Sequence, residues 1–178
     1  MFNHIKDLLK EDKNVLVIMR GVPGSGKSTA ARELHTKLNN ANLADGLPGY
    51  EPSHCDKDAI YPSVKICSTD DVNERLNGGE YIFEPGLLGL YHGINLDTAA
   101  SCMRNKVNLV IIDNTNIKRK DFKLYVRAAD HYGYEVVEYK VGETDFEGKL
   151  DILQCYLDRN THNVPMEVIE RMGRQFQE

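Results

Sequence analysis

Val15-Leu16-Val17-Ile18-Met19 is an unbroken apolar run, rich in β-branched residues, that ends ahead of Gly21. Such a run predicts a strand buried on both faces, as in a parallel sheet, rather than one with a wet side. From Lys27 to about Asn39 the period changes: Ala30, Ala31, Leu34 and Leu38 recur at three- and four-residue spacing, the stripe of an amphipathic helix. Residues 39–62 carry Gly46, Pro48, Gly49, Pro52 and Pro62, which break any regular element and predict a long irregular insertion near 39–63. Val64-Lys65-Ile66-Cys67-Ser68 reads as a second strand. Asp70 or Asp71 then caps a short helix to about Leu76, ended by Asn77-Gly78-Gly79.

The remainder continues the alternation. Residues 85–106 hold a mostly apolar helical pattern, from Leu87 and Leu90 to Ala99 and Met103, expected to be largely buried. Residues 108–113 form a third strand with Asp113 at its carboxyl end. Residues 118–132 read as a helix closed by Gly133, and 134–141 as a fourth strand. The last helices fall near 146–160 and 165–176, with Pro165 in the first turn. Strands alternating with helices predict an α/β fold, a three-layer sandwich around a parallel sheet of about four to five strands. Its site belongs at the carboxyl ends of the strands. The 178 residues are expected to fold as one domain around a single core.

The charge balance narrows the function classes. A net charge of −5 argues against a protein that coats nucleic acid through bulk electrostatics, but leaves room for local basic clusters. Lys118, Arg119 and Lys120 form one, and Arg159, Arg171 and Arg174 another; either group also suits a solvated helix face. Cys55, Cys67, Cys102 and Cys155 are scattered without a C-x-x-C pair, which points to neither zinc nor redox chemistry. Residues 1–13 mix acid and base and lack the apolar run of a signal peptide or membrane span, so the expectation is a soluble, cytoplasmic protein with no membrane partner.

Chemistry concentrates where strands end. Gly21-Val22-Pro23-Gly24-Ser25-Gly26-Lys27-Ser28 satisfies G-x-x-x-x-G-K-[ST] between a strand and a helix, the context a phosphate-binding P-loop requires. The glycines let backbone N–H groups turn inward, and the helix adds the positive end of its dipole. Lys27 brings a point charge to the β- and γ-phosphates of ATP or another nucleoside triphosphate, and Ser28 an oxygen for Mg2+. Gly21, Pro23, Gly24, Ser25, Gly26, Lys27, Ser28 and Thr29 are thus the predicted nucleotide-binding residues. Asp113 is the predicted second magnesium residue, although an acid before Asn114 also suits a local turn. Ser68-Thr69-Asp70-Asp71 follows the second strand, so at least one carboxylate should face the same crevice and serve as a base toward a hydroxyl; helix capping is the plainer role for both. Between the last helices, Arg159 is placed to close over the triphosphate, and His162 reads as a hydrogen-bonding loop residue rather than a catalyst.

Taken together, the P-loop, Ser68-Thr69-Asp70-Asp71, Val110-Ile111-Ile112-Asp113-Asn114-Thr115-Asn116, and Arg159-Asn160 followed by Val164-Pro165 resemble the polynucleotide kinase branch of the P-loop kinases, including the phage 5′-kinases. The resemblance implies that Asp70 is the general base, that the loop around Arg159, near 155–165, is a lid over ATP, and that Asn114 and Asn116 line the crevice with Asp70 and Asp71 on the acceptor side. The phage kinases carry an arginine shortly after the acidic pair to grip the acceptor phosphate; here the first is Arg75. The implied function is an ATP- and magnesium-dependent kinase for a hydroxyl on nucleic acid, most simply a 5′-hydroxyl end of DNA or RNA. Alternatives are a phage DNA-modifying kinase acting on a hydroxymethylated base, a nucleoside or metabolite kinase, and a nucleotide-binding interaction module. Any phosphatase or ligase needed for end repair is expected from separate partners.

Overall fold

The computed structural model of the chain describes residues 1–40 and 62–177. Four strands, β1 (Asn14–Arg20), β2 (Val64–Cys67), β3 (Leu109–Asp113) and β4 (Tyr134–Lys140), form a parallel sheet in the order β2-β3-β1-β4. Register places Met19 of β1 beside Asp113 of β3 and Cys67 of β2 beside Ile112. With every strand running the same way, Gly21, Ser68 and Asn114 leave the sheet at one edge. The helices are α1 (Phe2–Lys10), α2 (Lys27–Asn39), α3 (Thr69–Leu76), α4 (Leu88–Arg104), α5 (Arg119–Tyr132), α6 (Leu150–Arg159) and α7 (Met166–Arg174).

Side chains alternate across a strand, which sorts the apolar runs onto two faces. Leu16, Ile18, Val110 and Ile112 pack against Ala99 and Met103 of α4 and Phe122, Tyr125 and Ala129 of α5. Val15, Val17, Met19, Leu109 and Ile111 pack against Ile5 and Leu9 of α1 and Ala31, Leu34 and Leu38 of α2. Central strands covered twice need no polar positions, hence their unbroken apolar sequence. Edge strand β4 instead exposes Glu135, Glu138 and Lys140. A third cluster lies at the site end of the sheet, where Val22 and Ile117 meet Phe146, Leu153, Tyr156 and Ile169. It fastens α6 and α7 to the loop after β1.

The predicted α/β parallel sandwich is the observed fold, with four strands. Three local expectations are corrected, and one helix is added. Helix α1 lies in a stretch that the sequence reading assigns no element, although Phe2, Ile5, Leu8 and Leu9 fall at helical spacing; nine residues are too few for a helix to hold in water, and it forms by docking that stripe on the sheet. Ser68, not Asp70 or Asp71, caps α3: its Oγ accepts from both of their backbone N–H groups, at 3.2 and 3.4 Å. Helix α4 is not largely buried: Tyr91, Asn95, Ala99 and Met103, four residues apart, make a narrow inner stripe, while Leu90 stays 53% exposed. Pro165 stands at the N-cap of α7 rather than in its first turn. Most of the predicted insertion, residues 41–61, lies outside the described residues. Among the described residues no helix is long and apolar enough to cross a membrane.

Arg20, the last residue of β1, ties this end of the sheet together. It is 4% exposed; its Nε donates to the Asn116 carbonyl at 3.1 Å, Nη1 pairs with Glu138 at 2.8 Å, and Nη2 reaches the carbonyls of Ile117, at 3.3 Å, and Gln177. The guanidinium also lies over the rings of Phe122 and Phe176, 4.9 and 4.5 Å from their centroids. Arg20→Ala strands several buried carbonyls at once and is expected to cost about 3 kcal/mol, read from denaturant unfolding. A loss under about 0.5 kcal/mol would show that the network contributes little.

Candidate active site

The loop after β1 is shaped by close approaches that only glycine permits. Gly24 adopts φ +75°, and a Cβ there would lie 2.0 Å from the Tyr156 carbonyl oxygen of α6. A Cβ at Gly21 would lie 2.6 Å from the Val141 carbonyl oxygen and 2.8 Å from Ser25 Oγ. The Tyr156 hydroxyl accepts from the Glu143 N–H at 2.6 Å, so one α6 residue braces both the loop and the segment after β4. Gly24→Ala should push α6 off the loop and strain the backbone, costing about 2 kcal/mol or more. A thermal melt unchanged from the wild type would refute the fit.

Lys27, 8% exposed in the first turn of α2, donates from Nζ to the Val22 carbonyl at 2.9 Å. Burial lowers its ammonium to about 8, against the opposing pull of the Asp113 and Asp70 charges. Both carboxylates are near enough to bear on the lysine's charge. Asp113 receives a hydrogen bond from Ser28, yet among the described residues its buried Oδ1 has no partner, nor has Ser25 Oγ. Burial raises the Asp113 carboxyl, opposed by the Ser28 hydrogen bond and the charges of Lys27 and Arg32. An orphaned carboxylate oxygen beside a P-loop hydroxyl is a donor set that fits magnesium, completed by phosphate and water oxygens.

Helix α3 brings Asp70 to this edge. Ser68 starts the helix and Asp70 stands in its first turn, where a carboxylate complements the dipole. The start of α3 is anchored to β3, because Asn114 Oδ1 accepts from the Thr69 N–H at 3.0 Å. The Asn114 amide donates in turn to the Tyr125 hydroxyl, which also accepts from Asn95 at 3.1 Å. Burial pushes the Asp70 carboxyl up, and the nearby Asp113 and Asp71 add to this, while His162 and Lys27 pull it down. The His162 Nε2 lies 3.3 Å from Asp70 Oδ2, and its ring stacks on Tyr81 with centroids 3.9 Å apart.

The structure thus gathers Gly21, Gly24, Ser25, Lys27, Ser28, Asp113 and Asp70 at one end of the sheet. Pro23 and Gly26 complete the loop, half-buried, and Thr29 is exposed on α2. Other predicted positions differ. Asn116 does not line a crevice: it is 2% exposed at φ +48°, and its Nδ2 donates to the Met19 carbonyl at 2.8 Å, locking β3 to β1. Asn114 spends its carbonyl oxygen on Thr69 rather than on an open face. Asp71 is exposed. Arg75 is exposed and five residues beyond Asp70, about 140° around the helix, so α3 does not present the two together. Arg159 ends α6, exposed, one turn beyond the Tyr156 that touches the P-loop. Sequence reasoning passed over Tyr156 and Tyr81, whose roles arise from contacts between distant segments, and assigned His162 no part in chemistry.

A family model described as an AAA domain matches residues 16–178. Human NEDD4-binding protein 2 is 32% identical over 163 residues, 92% of this chain, and the chain spans only 8% of that protein's length. Among solved structures, a chain of the Pnkp1/Rnl/Hen1 RNA repair complex matches 92% of this chain and 44% of its own length, with a TM-score of 0.61 and 16% identity. Chaetomium thermophilum Kti12 in complex with ADP-AlF3 matches 92% of this chain and 80% of its own, with a TM-score of 0.59 and 16% identity. At such identities these structures show the shared P-loop kinase-like fold.

Proposed function

We propose that this chain, which belongs to the AAA domain family, is an ATP- and magnesium-dependent kinase that transfers the γ-phosphate to a hydroxyl on nucleic acid, most simply the 5′-hydroxyl end of DNA or RNA. The observation that carries this reading is the position of Asp70: a half-buried carboxylate in the first turn of α3, which leaves the parallel sheet at the same end as the P-loop yet belongs to a different strand-helix unit. A module that only binds nucleotide has no use for a carboxylate there; a phosphotransferase needs one to take a proton.

In this mechanism the P-loop N–H groups and Lys27 hold the β- and γ-phosphates, and Ser28 and Asp113 would hold magnesium, which would supply neutralising charge to the phosphate oxygens. Asp70 accepts the acceptor hydroxyl's proton as its oxygen forms a bond to the γ-phosphorus. The bond from that phosphorus to the β,γ-bridging oxygen breaks, its electron pair leaving with ADP. Arg159, carried by the helix that Tyr156 seats on the loop, supplies charge over the triphosphate.

Nucleic acid as acceptor is supported by Lys118, Arg119 and Lys120, which gather where α5 leaves the site edge of the sheet. Lys118 also serves α5 as its N-cap, its N–H donating to Asp121 at 2.8 Å, so the cluster combines a part in the helix start with positive charge beside the site. Because Arg75 points away from Asp70, an acceptor without a neighbouring phosphate grip, such as a hydroxymethyl group on a base within DNA, is the second reading. A panel of 5′-hydroxyl DNA and RNA oligonucleotides, duplex DNA with hydroxymethylated bases, and free nucleosides, each given γ-labelled ATP and magnesium, separates these. Label on an oligonucleotide end supports the first reading and label on the modified base the second. Label on nucleosides alone removes nucleic acid as substrate.

A further inference from the structure

The loop between α6 and α7 is built to hold one ring in one place. Asn160 closes it from both sides, donating from Nδ2 to the Val164 carbonyl at 2.7 Å and accepting the His162 N–H at its Oδ1 at 3.3 Å; Asn163 takes a left-handed φ of +52° between them. This turn projects His162 across to α3, where Nε2 meets Asp70 Oδ2 at 3.3 Å. The ring's face is set by Tyr81 at 3.9 Å. Tyr81 is fixed in turn, because the buried Asn73 grips the next residue at two points, with Nδ2 donating to the Ile82 carbonyl at 2.8 Å and Oδ1 accepting the Ile82 N–H at 3.0 Å. Asn73 lies one turn after Asp70 on α3, so the segment that carries the platform beneath the imidazole is pinned to the same helix that carries the carboxylate.

Resting on the reading of Asp70 as the base, we propose that His162 is the positioning residue of that base. Seating of the α6–α7 loop places its imidazole against one carboxylate oxygen, leaving Oδ1 oriented toward the acceptor hydroxyl. His162 exchanges no proton in the reaction. On the reading that Arg159 reaches the triphosphate, the same loop thereby completes the base on the acceptor side, so an acceptor is activated only when the loop is seated. A carboxylate free to rotate loses the aligned approach that makes proton transfer concerted with attack.

The test is steady-state transfer from ATP to a 5′-hydroxyl oligonucleotide by the wild type, His162→Ala, His162→Gln, Asp70→Asn and the Asp70→Asn/His162→Ala double variant. His162→Ala should lower kcat about tenfold with KM for ATP within about twofold, and His162→Gln, which keeps an N–H at similar reach, should recover most of the loss. The double variant should be no slower than Asp70→Asn alone, since the histidine acts only through that carboxylate. An unchanged kcat in His162→Ala, additive losses in the double variant, or a raised KM for ATP without loss of kcat would each overturn the inference while leaving Asp70 as base. Full activity in Asp70→Asn, or no transfer by the wild type to any acceptor, would remove the base reading itself and this inference with it.

Discussion

Lys27→Ala is expected to reduce phosphate transfer by at least about 10²–10³-fold, the scale on which a preorganised charge at a transferring phosphoryl group acts. The lysine is buried under the P-loop, held to the Val22 carbonyl, and lies near enough to two carboxylates for their charges to bear on it. Its ammonium has been stripped of water, so when phosphate oxygens arrive it meets them in a medium where charge counts for more. Folding should suffer far less than activity: the deletion orphans one carbonyl, but it also removes a charge whose burial already pulls its pKa down to about 8. Calorimetric titration with magnesium and ATP should show weakened binding beside a nearly unchanged thermal melt. Transfer within tenfold of the wild type would mean that Lys27 is not the phosphate ligand.

Asp70→Asn is expected to separate binding from chemistry. Asparagine keeps the shape but cannot accept the hydroxyl proton, so kcat should fall by about 10²–10⁴-fold while the Kd for ATP stays within about threefold. The environment of Asp70 also fixes the sign of a pH effect. Burial raises its carboxyl above the ordinary aspartate value, and the base works only when ionised. The acid limb of the wild-type rate should therefore fall at a higher pH than an exposed aspartate would give, and that limb should vanish from the residual rate of Asp70→Asn. Equal losses in binding and turnover would instead make Asp70 part of the nucleotide site.

The parts of this fold governed by local rules were readable in the chain. Strand β1, the P-loop and α2 follow from an unbroken apolar run, a glycine pattern and a helical stripe, and β3 with Asp113 at its end follows from the same logic. What escaped depends on contacts between segments far apart in sequence. Helix α1 exists because the sheet receives Ile5 and Leu9. The family resemblance implies a crevice position for Asn116, yet a positive φ and a buried bond to Met19 turn it inward. His162 read as a loop residue because nothing near it in sequence names Asp70; only the pairing of the α6–α7 turn with α3 brings them within 3.3 Å. Arg75 shows the converse: its late position already departs from the phage pattern in sequence, and helical geometry explains why it does not stand in, since five residues is not a whole number of turns.

The most direct measurement is a single turnover in which enzyme loaded with magnesium and γ-labelled ATP meets a 5′-hydroxyl oligonucleotide, with the wild type and Asp70→Asn side by side. The account predicts label on the oligonucleotide end in the wild type, and intact bound ATP with almost no product in the variant. Label released as free phosphate by the wild type, or the same product at the same rate from both proteins, would contradict it.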